Sequence, residues 1–347
     1  MIFVWQEQHW ARLLGRRDRM PHALLLAGPQ GGGKTVFAEA LARRMLCEGA
    51  VEETSQACGQ CPSCNWFASG NHPDFRRVEP GGGEVGNEEA SEAETGSGKK
   101  KSDQIRIDQI RQLDDFLAVG THRSGMRVIL IQPAEAMNAA TANALLKALE
   151  EPIASTLFIL VTHNKKRLLP TILSRCHVIN FPKPDEAQSL AWMRQGGLEK
   201  ADELLPHAGG MPLLASAEAG LLAKLDDFHR DVQQIAQIGP VSIAGKWEAW
   251  LKEGNESDVS LDKRTLVIWL QKWVFDLLSL RLSGRVWYHP RKLKEMRAIA
   301  AKASVVALFD CYNELLKIKA VAQHPLNPRL FLEDMLSRYA RTLRGVN

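Results

Sequence analysis

The sequence predicts an α/β domain with a mostly parallel sheet, followed by an all-helical C-terminal part. The first observation is a series of apolar runs that alternate with helical patterns, as expected for parallel strands covered on both faces. These runs lie at 23–27, 75–78, 128–131, 157–161 and 177–181, and the run at 75–78 is the weakest. The second observation is that no convincing strand follows Pro182, whereas 265–282 and 301–321 repeat apolar residues at helical spacing. We therefore expect about five strands, with helices on both sides.

A glycine-rich motif, GPQGGGKT, follows the first predicted strand and precedes a helical pattern over 35–47. It fits G-x-x-x-x-G-K-[ST], in which backbone N–H groups wrap phosphates, the lysine reaches the β and γ oxygens, and the hydroxyl supports magnesium. A glycine-rich turn that only joins strand to helix is the plainer alternative. The candidate nucleotide-binding residues are Gly28, Gly31, Gly33, Lys34 and Thr35.

The strand that should carry the catalytic acids lacks them. P-loop ATPases place an Asp for magnesium at the end of a later strand, usually followed by a Glu that activates water. Here Gln132 and Pro133 occupy these places. Glu135 lies two residues further on, a displacement of roughly 6 to 7 Å if the chain is extended. The sequence therefore predicts negligible ATP hydrolysis by the isolated chain.

Four cysteines have the spacing of a metal site. Cys58, Cys61 and Cys64 form C-x-x-C-x-x-C, and Cys47 ends the helix after the glycine-rich motif. Clustered thiols in a reducing compartment favour metal over disulfides. Four thiolates around Zn²⁺ make a closed, structural site, while an iron–sulfur cluster or unligated thiols are the alternatives.

Composition narrows the function classes. The 347 residues are 45% apolar, enough for two or three domains, and the net charge of +4 is too small for a dedicated nucleic-acid binder. No apolar run approaches the roughly 20 residues of a membrane span, and the first ten residues do not read as a signal peptide. We expect a cytosolic protein with no membrane partner. Residues 80–103, which are almost free of apolar side chains, are predicted to be a disordered insertion.

Five segments together resemble bacterial clamp-loader subunits of the AAA+ class: GPQGGGKT, C-x-x-C-x-x-C, ANALLKALEEP, TILSRC and NPRLFLEDML, in this order. The resemblance covers nearly the whole chain. It implies an AAA+ domain at 1–182 that carries the zinc module, a helical lid at 183–221 and a helical collar at 222–347. It also implies a five-membered ring with gamma/tau and delta subunits, which places a sliding clamp on primed DNA.

The resemblance gives an arginine a role outside its own domain. Ser174, Arg175 and Cys176 match the S-R-C motif, whose arginine reaches the ATP site of the neighbouring subunit. A planar guanidinium can grip two phosphate oxygens there. By itself, an arginine in a last helical turn more commonly complements the helix dipole. Thr162 resembles the sensor position, although strand-end threonines are more often simple sheet residues.

Clamp loaders contain hydrolysing and non-hydrolysing members of this family. Three features favour the non-hydrolysing member. Gln132 and Pro133 replace the acidic pair, Pro212 lies near the place where the motor has its phosphate-sensing arginine, and NPRLFLEDML lies near the end of the chain. No independent catalysis is then expected, and ATP or ADP could bind without turnover. A hydrolysing gamma/tau-type motor is the first alternative. A zinc-stapled DNA-binding module is the second, supported by the cations and aromatic rings of Arg281 to Arg297.

Overall fold

The computed structural model describes residues 1–16, 19–49, 56–81, 103–122, 125–253 and 261–343. The chain forms two compact units, 1–185 and 186–347. Within the described ranges, no helix combines the length and apolar character needed to cross a bilayer. The predicted insertion at 80–103 lies almost entirely outside the described residues. The division into domains at 1–182, 183–221 and 222–347 stays a prediction.

The first unit is built on a five-stranded, all-parallel sheet in the order β2-β3-β4-β1-β5. The three central strands are buried along their whole length, which explains their uninterrupted apolar sequences. The strands are β1 Ala23–Ala27, β2 Phe75–Val78, β3 Arg127–Ile131, β4 Thr156–Thr162 and β5 His177–Asn180. All five predicted strands are present, and the sheet is parallel as expected.

Helices cover both faces of this sheet and divide its core in two. One cluster packs α4 and α5 against β3 and β4, while the other packs α1 and α2 against β1 and β4. The helices are α1 Glu7–Leu14, α2 Lys34–Leu46, α3 Pro62–Ala68, α4 Ile107–Ala118, α5 Ala139–Glu150 and α6 Pro170–Leu173. Parallel strands joined by helices place the ends of β1, β3 and β4 along one edge, where the glycine-rich loop lies.

In the described residues the second unit is helical. Its helices are α7 Glu186–Gln195, α8 Ala201–His207, α9 Pro212–Glu218, α10 Leu222–Gln233, α11 Ile235–Ile238, α12 Pro240–Glu253, α13 Lys263–Ser283, α14 Leu293–Ala300, α15 Val305–Val321 and α16 Pro328–Leu343. The two helical segments predicted at 265–282 and 301–321 correspond to α13 and α15. Helix α13 is buried on most sides, with Trp269 and Trp273 fully enclosed. A smaller apolar cluster joins α7, α8 and α9.

Candidate functional site

The glycine-rich loop leaves the sheet where only glycine fits. The N–H of Gly28 donates to the carbonyl of Thr162, and a Cβ at Gly28 would lie 2.1 Å from the carbonyl oxygen of Phe181. Gly31 and Gly33 both have a φ of 85°, a left-handed conformation that glycine adopts without strain. Helix α2 begins at Lys34 with Gly33 as its N-cap. The sequence prediction of strand, loop and helix is therefore correct at this point.

Lys34 is buried at the start of α2. Its Nζ donates to the carbonyl oxygen of Pro29 at 2.6 Å, inside its own loop. Burial lowers the pKa of Lys34 to about 8, although the carboxylate of Glu135 partly opposes the shift. Because this ammonium has lost much of its hydration, a hydrogen bond to a phosphate oxygen would stabilise its charged form strongly. The hydrogen bond to Pro29 occupies one of the three N–H donors of Lys34, so two remain for such an oxygen.

The N-terminal segment fastens the loop from outside the motif, a contact that sequence reasoning missed. Trp5 Nε1 and Gln6 Nε2 both donate to the carbonyl oxygen of Gly32 at 3.1 Å. The ring of Phe3 lies so close to Gly33 that a Cβ there would be 2.6 Å from it. The first six residues are five apolar side chains followed by Gln6, a pattern too short to signal this contact. It holds the loop against the first helical turn of the chain.

Glu135 lies nearer to the lysine than its sequence position suggests. The chain does not continue extended after β3, because a 3₁₀ turn spans Ala134–Ala136. Glu135 Oε1 accepts a hydrogen bond from the N–H of His163 at 2.9 Å, just beyond β4. The extended-chain estimate of its displacement is therefore wrong. The side-chain oxygen of Gln132 is buried without a hydrogen-bond partner.

Thr162 is fully buried at the end of β4. Its Oγ1 accepts a hydrogen bond from the N–H of Asn164 at 3.1 Å, and its carbonyl accepts one from Gly28. Thr162 therefore shapes the turn beneath the loop. Its predicted sensor role stays a prediction.

Cys47, Cys58, Cys61 and Cys64 come together as the spacing predicted. All four sulfur atoms lie within 4.8 Å of one another, with Cys47 Sγ 3.5 Å from Cys58 Sγ and 3.9 Å from Cys61 Sγ. A tetrahedron with Zn–S bonds of 2.3 Å has edges of about 3.8 Å. The cluster therefore has the donor type and size to hold a metal ion such as Zn²⁺.

Hydrogen bonds position the cysteine cluster and set its protonation. Backbone hydrogen bonds from Gln60 and Cys61 lower the pKa of Cys58 to about 6, while burial raises the pKa of Cys64 to about 12. Backbone N–H groups thus favour the thiolate form of Cys58. Metal binding would have to displace the proton of Cys64.

A buried relay ties the cysteine segment to α2. The N–H of Asp74 donates to His72 Nδ1 at 3.0 Å, so the proton of His72 is on Nε2 and points at Ser63 Oγ, 2.7 Å away. Ser63 in turn donates to the carbonyl of Leu46 at 2.6 Å. Helix α3, which carries Cys64, is therefore fixed to the end of the helix that starts at Lys34.

Arg175 lies just after α6, with a third of its side chain exposed. Its guanidinium donates to the carbonyl of Thr171 at 3.0 Å and to Ser174 Oγ at 3.2 Å, and pairs with Glu150 Oε1 at 2.5 Å. The next residue, Cys176, is buried in the core. The backbone is thus anchored while the guanidinium reaches the surface.

The segment from Arg281 to Arg297 is organised by one buried carboxylate. Asp276 accepts hydrogen bonds from the backbone N–H groups of Trp287, Tyr288 and His289. Trp287 itself is 56% exposed. The segment is a pinned loop and short helix, and the DNA-binding alternative gains no support from it.

A family model and the sequences of individual relatives both assign the chain to one family. The family described as "DNA polymerase III, delta subunit" matches residues 6–185. A DNA polymerase III subunit delta′ of Pseudomonas aeruginosa is 33% identical, over 98% of this chain and 97% of its own. The chain belongs to the DNA polymerase III delta′ family. A delta′ subunit from Yersinia pestis is 34% identical over 98% of this chain and 96% of its own.

The chain is also similar to tau subunits of DNA polymerase III. A DNA polymerase III subunit tau from Bacillus subtilis is 27% identical over 94% of this chain, which corresponds to 58% of the tau subunit. The tau relative is thus longer, and similar over the region that this chain spans. Membership of the delta′ family, the parallel sheet and the phosphate loop agree with the predicted AAA+ fold.

Proposed function

We propose that this chain is the non-hydrolysing delta′ member of a clamp-loader ring. Gamma/tau-type subunits would hydrolyse ATP, a delta subunit would complete the ring, and the assembly would place a sliding clamp on primed DNA in the cytoplasm. The observation that carries the proposal is the pairing of two features. Gln132 and Pro133 stand where the catalytic acids belong, whereas Arg175 holds a guanidinium at the surface.

Arg175 would act on the ATP site of a neighbouring subunit. In isolation its charge is balanced by Glu150 at 2.5 Å, and the burial of Ile172 and Cys176 fixes the backbone on both sides. A phosphate whose charge is redistributed in the transition state offers a stronger, bidentate partner. Arginine fingers of this kind are worth about 10³ to 10⁵ in rate, or roughly 4 to 7 kcal/mol.

The four cysteines would hold a structural zinc ion. Four thiolates leave no open coordination position, so the ion supplies no chemistry and only holds α2, α3 and the loop between them. Zinc analysis of protein prepared without chelator tests this. Replacing Cys58 and Cys61 by serine should remove one equivalent of zinc, and an unchanged content would refute the assignment.

The phosphate loop would bind ATP or ADP without turnover. Gly31, Gly33 and Lys34 provide the backbone shape and the cation, and Thr35 follows in the first turn of α2. Each of these groups binds phosphate or magnesium without activating water. Nucleotide would then stabilise the first unit and leave the chain as a rigid member of the ring.

A reconstituted ring tests the role of Arg175. Arg175→Ala should leave the ring assembled but abolish the share of ATP turnover that belongs to the adjacent motor site, and clamp loading should fall with it. Arg175→Lys keeps the charge but loses the planar fork, so it should be nearly as defective. Arg111→Ala, which removes an exposed arginine of α4 paired only loosely with Asp108, is the matched control. Stimulated turnover that is unchanged in Arg175→Ala would refute the proposal.

One observation favours a second candidate, ATP hydrolysis by this chain itself. Glu135 lies beside the backbone of His163 and within electrostatic range of Lys34, where a carboxylate could act on water. The isolated chain distinguishes the two. Turnover of about one per second that disappears in Glu135→Gln would establish the motor, since that is a typical rate for an enzyme of this kind. Negligible turnover supports the non-hydrolysing role.

A further inference from the structure

A second group of potential metal ligands lies in the helical unit, far in sequence from the cysteines. His207 ends α8, His229 lies on α10, and His289 precedes the 3₁₀ turn at Pro290–Lys292. One ring nitrogen of each lies within 4.8 Å of the others, and all three side chains are at least 94% buried. The family resemblance and the proposed ring function assign nothing to these residues.

The hydrogen bonds of the cluster leave ring nitrogens without partners. His289 Nδ1 lies 2.9 Å from Asp276 Oδ2, and the carboxylate can only accept, so the proton is on Nδ1 and Nε2 is an acceptor that faces His207. His207 Nδ1 lies 3.2 Å from this Nε2. Both ring nitrogens of His229 and Nε2 of His207 have no hydrogen-bond partner. A buried polar group without a partner is destabilising, and coordination to an ion would relieve this.

The geometry points to a site for a divalent transition-metal ion of the zinc class, and we propose that His207, His229 and His289 bind it. With Zn–N bonds of about 2.0–2.1 Å, tetrahedral ligand nitrogens lie about 3.3 Å apart. One pair is already at 3.2 Å. The contact of His289 with Asp276 is the carboxylate–histidine arrangement that orients metal-bound imidazoles.

Space and charge also fit a small cation. A cavity of about 20 Å³ lies against the three histidines, which is room for about one water-sized ligand in a fourth position. Asp276 and Glu218 supply negative charge nearby, and Glu218 Oε2 lies 3.6 Å from His207 Nε2. Lys272 and Lys292 oppose a cation, but Lys272 lies 3.8 Å from Glu218. Because Glu218 is shared with Lys272, Asp276 is the carboxylate whose charge chiefly offsets that of the ion.

The ion would be structural. It would tie the end of α8 to α10 and to the loop after α13, all within the second unit. In this way it would fix the segment predicted as the lid to the segment predicted as the collar. Because the three histidines come from separate elements, the site exists only in the folded chain, and metal binding would add to the stability of this unit.

Metal content and ligand type test the site. The full chain, freed of any histidine tag and saturated with Zn²⁺ before desalting, should retain two equivalents, and its X-ray absorption should show both sulfur and nitrogen ligands. Cys58→Ser with Cys61→Ser should retain one equivalent with nitrogen and oxygen ligands alone. His207→Gln with His229→Gln should retain one equivalent bound by sulfur, whereas His324→Gln, an exposed histidine of the same unit, should retain two.

The absorption spectrum of the unmutated chain decides the matter even if a variant fails to fold. One equivalent with sulfur ligands only would overturn the histidine site and leave the cysteine site intact. One equivalent with nitrogen ligands only would support the histidine site and refute the cysteine site. Two equivalents that persist in the double histidine variant would place the second ion elsewhere and also overturn the proposal.

Discussion

Replacing Asp276 by asparagine removes one charge from the middle of the helical unit. Oδ1 of Asp276 accepts from Trp287 N at 2.8 Å, while Oδ2 accepts from Tyr288 N at 2.9 Å, His289 N at 2.8 Å and His289 Nδ1 at 2.9 Å. The side chain is fully buried. An asparagine can turn its oxygen toward the three donors on one side, but its NH₂ group then faces the N–H of Trp287.

The expected cost follows from this count. One hydrogen bond to a charged group, worth about 1.5–3 kcal/mol, is lost and the others become weaker. We expect Asp276→Asn to lower the free energy of unfolding of the second unit by about 2–3 kcal/mol. Asp276→Ala, which leaves all four donors unpaired, should cost about 3–5 kcal/mol.

Hydrogen exchange followed by mass spectrometry measures the free energy of unfolding of the second unit in the full chain. Peptides report each unit separately, whereas the nine tryptophans are spread over both units and blur a fluorescence transition. Protection of α13 and of the loop at 284–289 should fall in both variants, and protection of the sheet should not. Asp310→Asn, an exposed aspartate of α15, is the matched control. A loss below 0.5 kcal/mol in Asp276→Asn, equal to the control, would refute the reasoning.

Three further predictions concern single contacts. Tyr339→Phe leaves the Nε1–H of buried Trp273 without its acceptor at 2.8 Å, so urea unfolding should show a loss of about 1–3 kcal/mol, whereas Tyr312→Phe, at a tyrosine that is only half-buried, should show a smaller loss. Gly28→Ala forces a Cβ to 2.1 Å from a strand carbonyl and should lower the Tm of the first unit by several degrees, whereas Gly120→Ala, with open space around it, should not. Because the pKa of Lys34 is lowered to about 8, its ammonium is lost as the pH rises through that value. Nucleotide affinity measured by calorimetry should therefore be constant near pH 7 and fall up to tenfold per pH unit above about 8. An affinity that stays constant up to about pH 9.5 would contradict this prediction.

The sheet and the long helices were predictable because their signals are local. A run such as Val128 to Ile131 is apolar on both faces, as expected for a strand in a parallel sheet that is covered on both sides. The helical spacing of α13 and α15 is likewise carried by consecutive residues. The turn after β3 was not predictable in the same way. No residue between Gln132 and Glu135 forces the 3₁₀ conformation by itself, so the position of Glu135 depends on its tertiary contact with His163.

The two groups of possible metal ligands show the same limit. Cys58, Cys61 and Cys64 recur every third residue, a pattern that can be read directly from the sequence. His207, His229 and His289 are separated by tens of residues and meet only because two helices and the loop after α13 pack together. Nothing in their spacing distinguishes them from ordinary core histidines. The anchoring of the glycine-rich loop by Trp5 and Gln6 is invisible for the same reason.

The ion pair between Arg175 and Glu150 has a consequence for the ionic-strength dependence of the proposed contact. When the arginine engages a phosphate, it exchanges one anionic partner for another and is not transferred from bulk water. Dissolved salt weakens both pairs by screening, so much of its effect cancels in the difference between them. A contact built by such an exchange should tolerate changes in salt concentration better than one made by an arginine that is fully hydrated beforehand.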